Sequence, residues 1–338
     1  MAVNRLAARN WGPATKGVVK GVLTLVVLLF VARHVASTRR DLSERGLGLR
    51  LDPAWLSASA GLYLLGLFAF GVYFWRVLAA SESPVGFYPA VRAYLISHLA
   101  KYVPGKAMVV VVRSALVVPD GARPATSAFA TLYETLVMMA SGGWVAVVGL
   151  LVAGQGQASG FKSRFALVGD RSIEVDLSFT GLALLAGVGF LVLVSPNVFP
   201  RLAGAIRKPL RGVGGDALPR FSIPLLLEGL AWTALGWGLL GMSQVAVIAG
   251  IGQAIPASDW PLAVASVALA TVAGFAVPIA PGGLGVREWV LWTSLAASLD
   301  RDWAVVAALV LRLAWVAGEV GVALVLILIA PRSRRLLG

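Results

Sequence analysis

Residues 223–255 run for thirty-three positions with a single charged side chain, Glu228, and residues 125–153 for twenty-nine with only Glu134. About 20 consecutive apolar residues suffice to cross the hydrocarbon core of a bilayer. Further apolar runs lie at 17–36, 53–80, 177–194, 260–277 and 302–330. Polypeptide in hydrocarbon has to satisfy its backbone hydrogen bonds internally, and runs of this length do so as helices. The chain therefore reads as an all-α integral membrane protein, a single membrane domain over residues 1–338.

Composition agrees. Only 13% of residues are charged, about half the share usual in a soluble domain. The net charge is +13, and the basic residues cluster between the apolar runs and at both ends. Cytoplasmic loops facing anionic headgroups account for that pattern, so no nucleic acid is expected as a partner. The chain has no cysteine, which excludes disulfides, thiolate metal sites and cysteine nucleophiles. Arg5, Arg9, Lys16 and Lys20 before an apolar run resemble a secretory leader. No small-residue cleavage site follows Phe30, however, and residues 17–36 are expected to stay as a first span.

Two stretches break the apolar pattern. One is residues 278–288, PIAPGGLGVRE; the other surrounds Pro104 and Gly105 within 87–118. Backbone freed by proline and glycine is tolerated at membrane depth only where protein or a water-filled cavity covers it. Arg113 follows Pro104 by nine residues and Glu134 follows it by thirty; Glu288 follows Pro281 by seven and Arg312 by thirty-one. Each half thus reads as a break, a charge, an apolar piece and a span with one buried charge, with the signs exchanged. Broken segments at corresponding positions point to an inverted repeat with its site near the midplane. The halves are 17–194 and 222–330, joined by a basic cytoplasmic loop at 201–220. Exchanged signs suggest pairing across the halves, Arg113 with Glu288 and Glu134 with Arg312.

Residues 223–255 read either as one steeply tilted helix or as two short ones breaking near Gly236, Gly238 and Gly241. About eight transmembrane helices plus two re-entrant segments satisfy the positive-inside rule, provided residues 223–255 cross twice. Both termini are then cytoplasmic. A first connector holding five basic residues between Arg33 and Arg50 is left outside, against the rule.

The run Lys101-Tyr102-Val103-Pro104-Gly105-Lys106 with Arg113 downstream, residues 278–288, and Arg312 in the last span resemble the lysylphosphatidylglycerol synthase transmembrane-region family, also called the flippase-like domain family. The likeness covers nearly the whole chain from the first span to Ala330. It implies a multi-pass protein of the bacterial plasma membrane that moves anionic or headgroup-modified lipids, or lipid-linked glycans, between leaflets. The alternative it leaves open is an accessory or scaffold protein for a membrane glycosyltransferase or lipid-modifying enzyme. In bifunctional relatives a soluble aminoacyl-transferase domain follows the membrane region. Here the sequence stops at Gly338, so no enzyme activity and no cofactor are expected.

The candidate substrate-binding residues are Lys101, Tyr102, Pro104, Gly105, Lys106, Arg113, Glu134, Pro281, Gly282, Gly283, Gly285, Arg287, Glu288 and Arg312. Glycines allow close backbone approach, and their N–H groups can hold a phosphate. Arg113 suits bidentate contact with an anion and the lysines act as point charges; the bland alternative is snorkelling to the headgroups. Glu288 could equally favour a helix N-terminus, and Glu134 with Arg312 could be a structural ion pair. Glu228 and Glu319 rank lower. His98 is either a titrating group of a proton-coupled cycle or a hydrogen-bonded structural residue. No metal site is expected.

Overall fold

A computed structural model describes residues 51–102, 108–154, 160–166, 172–207, 219–276 and 285–329. The expected first span, Pro104, Gly105, Lys106, Pro281, Gly282, Gly283, most of the basic loop and the basic tail lie outside them. The helices, in chain order, are α1 Pro53–Ala79, α2 Phe87–Ser97, α3 Met108–Val117, α4 Pro124–Val152, α5 Phe179–Val194, α6 Phe199–Arg207, α7 Ile223–Gly250, α8 Trp260–Ala276, α9 Val286–Leu295 and α10 Arg301–Leu328.

The long helices start where capping chemistry dictates. Asp52 Oδ1 accepts the Ala54 N–H (2.8 Å) ahead of Pro53, and Asp300 Oδ1 accepts the Asp302 N–H (3.0 Å). Ser178 and Ser222 cap α5 and α7 in the same way. A side-chain acceptor there satisfies an otherwise orphaned N–H, and proline in the first turn forfeits no helical bond.

Five described helices are long and apolar enough to cross a membrane, or six if α5 and α6 are counted as one span bent by 68°. The expectation of two crossings within 223–255 is not met. Residues Ile223–Gly250 form one uninterrupted helix, which removes one span from the count of eight. Gly236, Gly238 and Gly241 do not break it, because a helical glycine costs only ~1 kcal/mol and tertiary packing offsets that. A second difference lies in the polar connector before α5. There Gly160–Ala166 (β1) and Ser172–Ser178 (β2) pair antiparallel, with Gly160 opposite Ser178 and Ala166 opposite Ser172.

Helices α1 and α7 are antiparallel partners that define two ends of the bundle. At one, the Asp52 N–H donates to Gly250 O (2.8 Å); at the other, the Arg220 N–H donates to Ala80 O (3.2 Å). Helix α4 ends at the Asp52 end, where Gly149 faces Pro261 at the start of α8. Membrane helices gain no hydrophobic drive toward one another, so small residues and close packing hold them together. A Cβ on Gly143 of α4 would lie 2.5 Å from the backbone nitrogen of Gly187 on α5. Gly143→Val is therefore expected to cost about 1–3 kcal/mol by overpacking, read as a lowered melting temperature of the detergent-purified protein.

Two pairs of described helices, α2 with α3 and α8 with α9, each enter and leave the bundle at one end. Helix α2 starts after α1 at the Arg220 end, runs in past Phe74, and reaches a 3-10 turn at His98–Tyr102; α3 leads back out to the start of α4. Helix α8 enters at the Asp52 end. Val272 packs on Gly142, so Ala276 lies near the middle of α4, and α9 leads back to the start of α10. The described inner ends, His98–Tyr102 as the first tip and Ala276 as the second, approach the same depth from opposite ends.

Candidate functional site

Three carboxylates and their cations occupy that depth. Helix α3 packs back on α4, which brings Arg113 against Glu134: Nη1 to Oε2 is 3.0 Å, and the two side chains are 2% and 0% exposed. Arg113 also donates through Nε to Ser97 Oγ (2.9 Å), and its guanidinium lies 3.9 Å from the Tyr94 ring centroid. The Tyr94 hydroxyl donates to the other oxygen of Glu134 (3.1 Å). Each oxygen of the Glu134 carboxylate thus accepts a hydrogen bond within this cluster.

In the second half, α9 begins at Gly285, whose φ of 84° suits a residue without Cβ. Its N–H donates to Glu288 Oε2 (2.8 Å), and Glu288 Oε1 accepts from Arg312 Nη1 of α10. Glu288 therefore does both things its position allows, capping a helix start and binding a buried cation. Arg287, one residue earlier, lays its guanidinium 4.4 Å from the Trp315 ring centroid.

The expected pairing across the halves is overturned. Arg113 binds Glu134 rather than Glu288, and Arg312 binds Glu288 rather than Glu134. The reason is geometric: each return helix packs on the span that follows it, so the charges meet within one helical hairpin. The link between halves runs instead through Glu319, which the sequence ranked low. Glu319 of α10 is fully buried and accepts from Lys101 Nζ (2.6 Å) and from the Tyr63 hydroxyl of α1. Tyr63 stacks on Trp315 (4.1 Å between centroids), whose indole N–H donates to Ser243 Oγ on α7 (2.9 Å). Glu319 lies seven residues beyond Arg312 and four beyond Trp315, hence on one face of α10. That spacing was the available signal.

His98 Nε2 is 3.3 Å from the Tyr63 hydroxyl. Tyr102 is buried, with Lys101 Nζ 5.1 Å from its ring centroid. Glu228 pairs with Arg76 (2.6 Å) away from the site, with side chains 31% and 42% exposed. Arg76→Ala is expected to cost under about 1 kcal/mol, as exposed ion pairs do, and to leave the melting temperature nearly unchanged.

These groups surround a cavity of about 720 Å³. Lys101, Arg113, Arg287 and Arg312 line its charged end, together with Tyr63 and Trp315. The remainder is apolar and extends past Leu136 and Phe275 to Leu132, Leu202 and Ile206, which are exposed on the bundle surface. Helix α6, which carries the last two, is held at the Arg220 end by the Tyr133–Phe199–Phe221 aromatic cluster. Four cations face three carboxylates (Glu134, Glu288, Glu319). Of these four cations, Arg287 is the one with no carboxylate within ion-pair distance among the described residues.

The model of one protein family, described as lysylphosphatidylglycerol synthase TM region, matches residues 17–328. No curated protein matches the chain.

Proposed function

The chain belongs to the lysylphosphatidylglycerol synthase transmembrane-region family, and on that premise we propose that it carries an anionic or headgroup-modified lipid, or a lipid-linked glycan, between leaflets. The observation that supports this most is Arg287. A cation at membrane depth costs ~2.5–3.5 kcal/mol by insertion scales, and a cation–π contact returns ~0.5–2 kcal/mol. A residue held at that cost, at the charged end of an otherwise apolar cavity, suits an anionic headgroup whose acyl chains stay among apolar side chains.

In this reading the α2–α3 and α8–α9 hairpins are the two members of an inverted repeat. Each return helix supplies one charge and the next span the opposite one: Arg113 with Glu134, Glu288 with Arg312. Rocking of one half against the other would pass the headgroup from one end to the other. The Arg220 end, with Arg201 and Arg220, is the cytoplasmic one by the positive-inside rule, and the cavity opens sideways toward that leaflet. No group-transfer chemistry is assigned; the described part of the site is built mainly of charge pairs.

The test is a leaflet-resolved assay of labelled phosphatidylglycerol in vesicles containing the purified protein. Exchange well above that of protein-free vesicles is expected. Equal rates would reassign the protein as an accessory of a membrane glycosyltransferase or lipid-modifying enzyme.

A further inference from the structure

Lys101 has two possible anionic partners: it lines the cavity, yet its ammonium is bound to Glu319, which does not. Glu319 lies behind Lys101 and Tyr63, with no exposed surface. Tyr63 and His98, by contrast, face the cavity, and the Tyr63 hydroxyl contacts both Glu319 and the His98 ring. A hydroxyl and an imidazole thus bridge the cavity to a carboxylate that has no direct opening to it. Among the described residues, the charged and titratable groups around Glu319 are Tyr63 on α1, His98, Lys101 and Tyr102 at the first tip, Arg287 on α9, and Arg312 on its own helix.

An anionic headgroup in the cavity binds Arg287 and competes for Lys101. Once Lys101 turns to the headgroup, Glu319 is left as a buried carboxylate without its ammonium. Neither arginine replaces it, since Arg287 is engaged by the same headgroup and Arg312 by Glu288. A buried charge that loses its partner is strongly disfavoured and neutralises instead.

We infer that Glu319 is a proton-binding site, loaded when an anionic headgroup takes Lys101, so that lipid and proton bind together. This rests on the lipid-handling reading and adds a coupling ion to it. The proton arrives from water in the cavity by way of His98 and the Tyr63 hydroxyl. Charge balances: the headgroup contributes one negative charge, the proton cancels that of Glu319, and Lys101 keeps its own. Release of the lipid returns Lys101 to Glu319 and expels the proton.

Titration calorimetry tests this, with the purified chain in neutral detergent and short-chain phosphatidylglycerol as the probe, in two buffers of different ionisation enthalpy. About one proton is expected to be taken up per lipid bound, and wherever uptake occurs Kd should rise with pH, about tenfold per unit at most. Glu319→Gln should still bind, with no uptake and a flat pH profile. Lys101→Met provides the second variant should Glu319→Gln fail to fold. There Glu319 already carries its proton, so binding should be weaker and again without uptake. Wild-type binding with no proton uptake would overturn the coupling and leave the lipid reading intact. Undiminished uptake in either variant would overturn the assignment to Glu319. Failure of the wild type to bind the probe would overturn both readings.

Discussion

Replacing Arg287 by Gln is expected to lower lipid exchange in reconstituted vesicles by about 10- to 100-fold while leaving the protein folded at least as stably as the wild type. The two effects have one cause. Arg287 has its guanidinium against Trp315 and no carboxylate partner among the described residues, so its removal breaks no ion pair and relieves a desolvated charge. What is lost is a hydrogen bond from a charged donor to a headgroup, ~1.5–3 kcal/mol, which converts to that range of rates if the contact tightens as the headgroup crosses. Arg287→Lys should recover only part, since an ammonium neither stacks on Trp315 as a planar group nor binds a phosphate bidentately. Melting temperature and leaflet-resolved exchange, measured on the same preparations, separate the two effects. A variant that is both less stable and slower would make Arg287 a structural residue.

The breaks and their charges were legible in the sequence because the bilayer removes the alternatives. Proline, glycine and isolated charges inside apolar runs have few places to go, and Arg113, Glu134, Glu288 and Arg312 all lie at the common depth. Their partners were not legible. Counting residues from each proline exposes an exchange of signs but carries no information on which helices pack, and packing within each hairpin overrode the symmetric guess. Glu319 was undervalued because one carboxylate near an arginine on the same helix is easily assigned to that arginine. The register of α10 turns Glu319 toward α1 and the first tip instead. The double crossing of residues 223–255 failed for a related reason. Gly236, Gly238 and Gly241 suggested a break in α7, whereas Gly236 and Gly241 are where Phe70 and Val264 pack against the helix. A glycine chosen for contact and one chosen for a turn read alike in one dimension.

Breaking the Arg113–Glu134 pair from one side is expected to be the most destabilising single change in the chain. Glu134→Gln keeps the side-chain volume but leaves Arg113, 2% exposed, charged and without its carboxylate. Loss of one partner of a buried pair costs about 3–5 kcal/mol, enough to lower the yield of folded protein and its melting temperature sharply. Removing both charges has a different expected outcome. Replacement of a buried pair by apolar groups of similar size is often neutral or stabilising. Arg113→Met with Glu134→Leu should therefore recover most of the stability lost in either single variant. Exchange should recover with it, because Arg113 spends its donors on Ser97 and Glu134 and its face on Tyr94, leaving little to offer a headgroup. The double variant thus distinguishes the two charge pairs by role. A stable but inactive double variant would place Arg113 beside Arg287 as a headgroup ligand. A stable and active one identifies the pair as the clamp that holds the first hairpin on α4, and leaves headgroup binding to the second.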